Sequence, residues 1–255
     1  MKNTLLPGIN YQWAPPHPSL SYWVDSCWML ASEADTTREV MLLPDGRIDL
    51  LLSRSEKDGF YVALAGLTTM PEWVSIPARS LLFAVSFRLP AVEYIIQRPV
   101  ASLLNTIELL PPGFWNFSEN DLQDFRDFCK KAMATVTARI PTEMDSRKQS
   151  LFSLIYDSDG AATVKELSAR AFWSSRQINR YFNQEFGLSL KTYLSILRFR
   201  SAFAQIREGK LFPPGHFTDQ SHFIREVKKL SGVSPKVLSL NKSGRFIQFS
   251  ALPPK

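Results

Sequence analysis

Two stretches near the C-terminal end carry hydrogen-bonding side chains at matching positions. Residues 173–194 and 218–239 align when one is shifted by 45 residues, so that Arg180 falls on Arg225. In both stretches apolar residues recur four positions apart before a glycine, which predicts a short helix with one buried face and a left-handed end. The opposite faces carry Arg176, Asn179 and Arg180 in the first stretch and Gln220, Ser221 and Arg225 in the second.

The side-chain types on these faces are those that read base edges in duplex DNA. Arginine can donate two hydrogen bonds to guanine O6 and N7, and asparagine or glutamine can pair with adenine N6 and N7. Lys228 and Lys229 lie nearer the end of the second helix and are predicted to contact phosphates, which position a protein without reading sequence. Either helix alone would be consistent with an ordinary amphipathic surface helix. Their repetition at a fixed offset favours a pair of recognition helices.

The charges of the chain are unevenly divided. Residues 141–255 hold 18 Lys and Arg against 9 Asp and Glu, whereas residues 1–140 hold 12 against 15. The net charge of +6 therefore conceals a basic half, which is the half with the repeat. This division suits a nucleic-acid-binding region joined to a region with another task. We expect double-stranded DNA as the partner.

Local capping signals define the helices around the first stretch. Two Ser/Thr-x-x-Glu/Gln capping boxes are present, Thr163–Glu166 and Ser174–Gln177. They predict a helix over residues 164–171, a tight turn at Phe172 and Trp173, and then the recognition helix. Ser174 and Asp219 are predicted to be helix N-caps and not base readers. Residues 190–208 are predicted to form one long helix between the two units.

The N-terminal half is predicted to be a small antiparallel β-barrel, with a sandwich as the alternative. After an irregular arm of 18 residues with four prolines, β-branched or aromatic runs alternate with turn residues such as Pro44-Asp45-Gly46. The predicted strands are Leu20–Leu30, Arg38–Leu43, Arg47–Leu52, Phe60–Ala65 and Arg79–Leu89. Five of the six tryptophans lie in this half and serve either as core residues or as the lining of a ligand cavity. The sequence leaves both interpretations open.

The segment after the strands is predicted to be helical. Ser118 caps a predicted helix over Glu119–Arg139, whose apolar stripe either packs on the barrel or pairs two subunits as a homodimer. Pro141 ends this helix, and residues 142–150 are a predicted hinge. The expected fold is therefore α+β, with a β-barrel domain over residues 1–140 and an all-α domain over residues 141–255.

Several classes of protein are not supported by the sequence. No apolar run approaches the ~18–20 residues that span a bilayer, and the N-terminus is a poor signal peptide, so we expect a cytoplasmic protein without membrane contact. Cys27 and Cys129 are far apart in sequence and form no CxxC pair. The three histidines, His17, His216 and His222, have no ligand-like neighbours, so no metal, cofactor or enzymatic activity is predicted.

The C-terminal half resembles the DNA-binding domain of AraC/XylS-type transcription regulators. The matching segments are VKELSARAFWSSRQINRYFNQEFGLSLKTYL, LRFRSAFAQI and FTDQSHFIREVKKLSGVSPK, within about residues 147–240. More weakly, LPDGRIDLLL and FRLPAVEYII resemble the cupin-like sensor domain in one branch of that family.

The resemblance implies two helix-turn-helix units joined by a helix, reading adjacent major-groove segments. Base contacts would fall to Arg176, Asn179 and Arg180 in the first unit and to Gln220, Ser221 and Arg225 in the second. It also implies transcriptional control in a bacterium, with RNA polymerase as a partner, tuned by a small effector or by dimerisation.

Residues 209–217 depart from the family pattern. Where the family has a full helix, this chain has a short segment with Pro213 and Pro214, which predicts a missing or reduced helix. Sequence readout is therefore expected to fall mainly on the first unit. The N-terminal half also lacks the clustered histidines of metal-dependent cupin enzymes.

Two other functions are alternatives to DNA-binding regulation. One is a DNA-repair regulator that transfers alkyl groups to a reactive thiol, which requires an activated cysteine. The other is an interaction module whose basic half binds acidic partners. The paired recognition helices favour regulation over both.

Overall fold

The computed structural model describes residues 3–210, 217, 219–241 and 244–250. The α+β class predicted from the sequence is confirmed, with antiparallel sheet in the N-terminal half and helices in the C-terminal half. The strands are β1 (Asn3–Leu6), β2 (Ile9–Ala14), β3 (Val24–Ser32), β4 (Arg38–Leu42), β5 (Ile48–Ser55), β6 (Gly59–Ala65), β7 (Glu72–Ile76), β8 (Ser80–Phe87) and β9 (Ile107–Leu109).

The strands are divided between two sheets. Seven of them form one antiparallel sheet in the order β1-β2-β3-β8-β5-β6-β9, and β4 pairs with β7 in a second sheet. In the described part of the chain the two sheets share no strand, so no hydrogen-bonded ladder joins one sheet to the other. β8 lies at the centre of the larger sheet, where Val85 pairs with Cys27 of β3 on one side and Leu50 of β5 on the other.

The leading arm forms a hairpin, which the sequence analysis missed. β1 and β2 pair with each other, and β2 continues into the large sheet beside β3. Gly8 makes the turn at φ +77°. The expectation of an irregular arm rested on its prolines, but three of the four, Pro15, Pro16 and Pro18, follow β2 and interrupt no ladder. β7 and β9 were also not predicted.

The helices are α1 (Phe125–Thr137), α2 (Ser146–Asp157), α3 (Val164–Arg170), α4 (Ser175–Phe186), α5 (Leu190–Ser201), α6 (Phe203–Arg207), α7 (Gln220–Ser231), α8 (Pro235–Leu240) and α9 (Ile247–Ser250). A short π-helix covers Val92–Ile96, and a 3-10 turn covers Ala101–Leu103.

Two helices predicted as continuous are interrupted. Ser118 caps only the 3-10 turn Glu119–Leu122, and α1 begins again after a second N-cap at Asp124. The predicted long helix over residues 190–208 is divided into α5 and α6 at Ala202. The proline segment on which the shortened second unit was predicted falls mainly on residues 211–216, which lie outside the described residues.

The apolar stripe around α1 packs against the sheet. Phe128 is buried, and its ring lies 5.3 Å from that of Phe83 on β8. Phe125 contacts the same ring at 5.5 Å. Of the two roles considered for this stripe, the structure therefore shows packing on the sheet.

One hydrophobic core extends through both halves. Side chains of the large sheet, such as Leu50 and Phe87, belong to the same apolar cluster as Phe152, Phe182 and Tyr193. Gly46 lies directly against α5, where the Tyr193 hydroxyl donates a 3.1 Å hydrogen bond to its carbonyl oxygen. The proposed boundary between residues 140 and 141 remains a prediction. None of the helices in the described residues has the length and apolar character needed to cross a membrane.

Candidate nucleic-acid interface

The first helix-turn-helix unit is built from α3 and α4, as the capping boxes predicted. Thr163 caps α3 and Ser174 caps α4, each through the backbone amide three residues later. In each box the side chain at the third helical position bonds back to the cap residue. α4 ends at Gly187, whose φ of +78° is left-handed. The two caps therefore fix where α3 and α4 begin.

The inward face of α4 is aromatic and fully packed. Ile178, Phe182 and Phe186 are buried, and the Phe182 and Phe186 rings meet edge to face at 5.1 Å. Phe152 of α2 contacts both of these rings. The packing of this face turns the opposite face of α4 towards solvent.

On that opposite face the structure separates the three predicted base readers. Arg176 and Arg180 are exposed. Asn179 is half-buried, its Nδ2 donates to the Ser175 carbonyl at 3.0 Å, and its Oδ1 accepts from the amide of Leu190 at 3.2 Å. The prediction that Asn179 reads a base conflicts with these bonds, because its amide satisfies the backbone at the start of α5.

The second unit centres on α7, which repeats the design of α4. Asp219 caps α7 through the amide of His222, as predicted, and Gly232 ends it at φ +72°. Phe223 and Val227 are buried. The exposed side chains are Gln220, Ser221, Arg225, Lys228 and Lys229. All five predicted contact residues of this unit are thus accessible on one helix.

Buried polar contacts hold α7 against α5. Glu226 of α7 accepts a hydrogen bond from the Ser195 hydroxyl and lies 3.9 Å from the Arg198 guanidinium. Arg198 also donates to the carbonyl of Gly160, in the turn between α2 and α3, at 2.8 Å. Burial lowers the pKa of Arg198. Because one arginine contacts both α7 and the turn that leads into α3, it links the two units.

The turn between α3 and α4 is strained. Phe172 has a φ of +51°, which costs a bulky residue about 1–3 kcal/mol. The sequence placed Phe172 and Trp173 in this turn but gave no sign of the left-handed backbone. Trp173 packs against Tyr181 at 5.3 Å and lies under the guanidinium of Arg147.

The N-terminal half contacts α4 directly. Glu93, in the π-helix, accepts hydrogen bonds from Lys148 Nζ at 2.6 Å and from the Tyr181 hydroxyl at 3.0 Å. Burial, with the Glu93 charge, raises the pKa of Tyr181 far above its usual range. The amide of Val100 donates to the carbonyl of Glu185 at 2.8 Å. Sequence reasoning missed these contacts.

A second polar contact between the halves involves partly buried charges. Asp25 of β3 pairs with Arg47 at 2.7 Å and with Arg200 of α5 at 2.9 Å. Nearby, burial and the charge of Asp45 raise the pKa of Asp49 to about 7. Asp49 also accepts a hydrogen bond from Ser86.

The tryptophans of the N-terminal half have different environments. Trp23 is buried against Tyr94 at 5.7 Å, and Trp28 donates from Nε1 to the Ser86 hydroxyl at 2.9 Å. Trp13 and Trp73 are exposed. Trp23 and Trp28 are therefore structural, which agrees with the core interpretation for these two.

The two cysteines, predicted to lack partners, lie together. The thiols of Cys27 on β3 and Cys129 on α1 influence each other, so that the pKa of Cys27 is raised and that of Cys129 is lowered. They are separated by 102 positions along the chain, which is why the sequence gave no sign of the contact. Within the described ranges, no cluster of His, Cys, Asp and Glu could hold a metal ion.

Comparisons with known proteins give one partial family match and several distant structural matches. Residues 12–109 match a family model described as a domain of unknown function, DUF6597. No curated protein matches the chain.

The similar solved structures include ToxT from Vibrio cholerae. An apo ToxT variant from strain SCE256 is 13% identical over 92% of this chain and 97% of that chain, with a TM-score of 0.40. ToxT from strain O395 bound to (E)-4-(8-methylnaphthalen-1-yl)but-3-enoic acid is 13% identical over 90% and 97%, with a TM-score of 0.42.

Proposed function

We propose that this chain is a sequence-specific DNA-binding transcription regulator. The observation that carries the proposal is the pair of matching helices, α4 and α7, each with a polar N-cap, a buried apolar face and a left-handed glycine at its end. Each presents exposed arginines or lysines on the face away from the core. Helices held in this way can enter the major groove of DNA, where arginine reads guanine.

The residues assigned to DNA follow from their exposure. Arg176 and Arg180 of α4 contact base edges in the first block, and Arg225 of α7 does so in the second, with Gln220 and Ser221 beside it. Lys228 and Lys229 contact phosphates. Asn179 has a structural role, since its side-chain amide accepts a hydrogen bond from the backbone at the start of α5.

The N-terminal half is proposed to sense a small molecule or to mediate self-association in a bacterial cytoplasm. The hydrogen bonds that Glu93 and Val100 make to α4 support this role. A conformational change in the N-terminal half can alter the position of α4 through these bonds. RNA polymerase is the partner that such a regulator would engage. No enzymatic step is part of this proposal.

Selection of preferred sites from random duplexes tests the proposal, with the full-length chain as the bait. We expect two short preferred blocks about one helical turn apart. Arg180→Ala should relax one block and Arg225→Ala the other, each by roughly 1–3 kcal/mol of base discrimination. Arg126→Ala, an exposed arginine on α1, is the matched control and should leave both blocks unchanged.

Salt dependence provides the second measurement. Each phosphate that the protein neutralises releases about 0.9 counterion, so affinity should fall steeply between low and moderate salt. Binding without sequence preference, or binding that does not respond to salt, would contradict the proposal. A basic interaction module would then be the better description.

A further inference from the structure

The turn between α3 and α4 carries an aromatic ring that the fold does not bury. Phe172 is 89% exposed, and among the phenylalanines in the described ranges it is the one with an exposed ring. Its neighbour Trp173, by contrast, packs on Tyr181. Packing within this chain therefore does not explain why a phenylalanine occupies the position.

The backbone makes the choice of phenylalanine more unusual. At every other left-handed position described in this half the chain has glycine, aspartate or asparagine, the residues that adopt this conformation most readily. Phe172 is held at φ +51° by bonds on either side, since its amide lies 3.4 Å from the Ala169 carbonyl and the Trp173 amide 3.2 Å from that of Ser168. A glycine would adopt this conformation without strain. Strained residues of this kind cluster at functional sites.

The surroundings of Phe172 indicate what the ring contacts. It lies two residues before the N-cap Ser174 and four before Arg176, in the part of a helix-turn-helix that approaches the major groove. Arg170 and Arg176, both exposed, flank it in the chain. Binding of an apolar protein surface here would remove both guanidinium groups from water at a cost in free energy. DNA, by contrast, provides phosphates with which both arginines can pair.

The apolar group that DNA presents in the major groove is the C5-methyl of thymine, and phenylalanine is one of the side chains that contact it. We propose that Phe172 contacts a thymine C5-methyl group at the border of the block read by α4. The inference rests on the proposed function, because it requires that α4 enters the major groove. It adds a specificity residue outside the two helices.

Replacing thymine by uracil tests this contact, because uracil lacks only the methyl group. In the duplex selected by the full-length protein, each dT of the Arg180-dependent block and its border is replaced in turn by dU. For the wild-type chain we expect about a fourfold loss of affinity at one border position, which corresponds to one buried methyl group. Phe172→Gly should bind the dT duplex about fourfold more weakly and show no difference between dT and dU there.

Two further variants separate the contact from effects on folding. Phe172→Tyr keeps the ring and should keep the sensitivity to uracil. Phe172→Asn, which tolerates a left-handed backbone, should behave as Phe172→Gly does. Both non-aromatic variants should unfold at a urea concentration no lower than the wild type, since they relieve strain.

The outcomes distinguish the inference from the proposed function. If Arg180→Ala relaxes a block but wild type and Phe172→Gly share one uracil profile, the contact with thymine is refuted and DNA binding stands. If no duplex is selected at all, the proposed function fails, and the inference fails with it.

Discussion

The Tyr181 hydroxyl donates a 3.0 Å hydrogen bond to Oε2 of Glu93, and this bond joins the first candidate recognition helix to the N-terminal half. The same carboxylate holds Lys148 of α2, so one side chain of the π-helix anchors two helices of the basic half. Arg180 is therefore the immediate neighbour of Tyr181, the residue of α4 that contacts the N-terminal half through Glu93.

Tyr181→Phe tests the strength of this anchor. The substitution removes a hydrogen bond to a charged group and keeps the ring, so we expect the free energy of unfolding to fall by about 1.5–3 kcal/mol. Urea denaturation followed by tryptophan fluorescence measures it. Glu119→Gln, which breaks an exposed pair with Arg54, is the control and should change stability by less than about 1 kcal/mol. Equal stability of Tyr181→Phe and wild type would show that the bond contributes nothing.

Gly187→Ala tests the close approach of α4 to the N-terminal half. A Cβ at Gly187 would lie 2.7 Å from the carbonyl oxygen of Ala101, in addition to the strain of φ +78°. Gly113 has a similar φ of +75° but open space around it, so Gly113→Ala isolates the strain alone. We expect Gly187→Ala to lower the thermal midpoint clearly more than Gly113→Ala. Similar midpoints would mean that the two halves separate easily here.

Asn179 and Arg180 should respond differently to truncation. Asn179→Ala removes the acceptor for the Leu190 amide and should lower the free energy of unfolding by about 1 kcal/mol, with a loss of affinity that is uniform across DNA sequences. Arg180→Ala should preserve stability and relax sequence preference. Denaturation and site selection on the same preparations distinguish the two. A change in base preference with Asn179→Ala would restore Asn179 as a reader.

The paired thiols should differ in reactivity. Because the neighbouring Cys27 thiol lowers the pKa of Cys129, and Cys129 is only partly buried, iodoacetamide near pH 7 should label Cys129 first. Cys27→Ala removes the neighbouring thiol and should slow the labelling of Cys129. Mass spectrometry of timed samples gives both rates. Faster labelling of Cys27 would contradict the assignment.

Asp49 should make stability depend on pH. Its pKa is raised to about 7 in the folded chain, above the ordinary value of 3.8, so the folded state retains a proton that the unfolded state has lost. Stability from this group is complete at low pH and is lost as the pH rises from about 4 to 7, by up to about 1.4 kcal/mol per pH unit.

Asp49→Asn imitates the protonated group, so it should flatten the pH dependence and stabilise the protein most at pH 8. Asp127, an exposed carboxylate on α1, gives the control Asp127→Asn, which should leave the profile unchanged. Denaturation midpoints at pH 5, 6, 7 and 8 provide the test. Parallel profiles for Asp49→Asn and wild type would refute the buried proton.

The parts of the site that the sequence predicted are those set by neighbours in the chain. Ser174 and Gln177 are three residues apart, so their capping box was visible, and it fixed the start of α4. The bond between Asn179 and Leu190 spans 11 positions across a turn, and that between Glu93 and Tyr181 spans 88. Periodicity and spacing carry no signal for such distances, so the amide of Asn179 was assigned to DNA.

The fold was predictable to a similar extent. The sequences of β5 and β8 carry apolar patterns that are typical of strands. The structure places both strands close to the bounds predicted from the sequence. The division of the strands into two sheets depends on which strands pair, and this is decided by packing against the helices as well as by local pattern. β4 and β7 illustrate this, since they pair with each other across more than 25 intervening residues.

The position of Gly46 against Tyr193 and Leu197 limits how this chain could be recombined. A hybrid that joined its sheet region to the helical region of a distant relative would bring together a turn and a helix that had not been selected to fit. A Cβ at Gly46 would already lie 3.1 Å from Leu197 and 3.2 Å from Tyr193. Exchange of one half would therefore require compensating substitutions on both sides of this contact. We expect the two halves to change together during evolution.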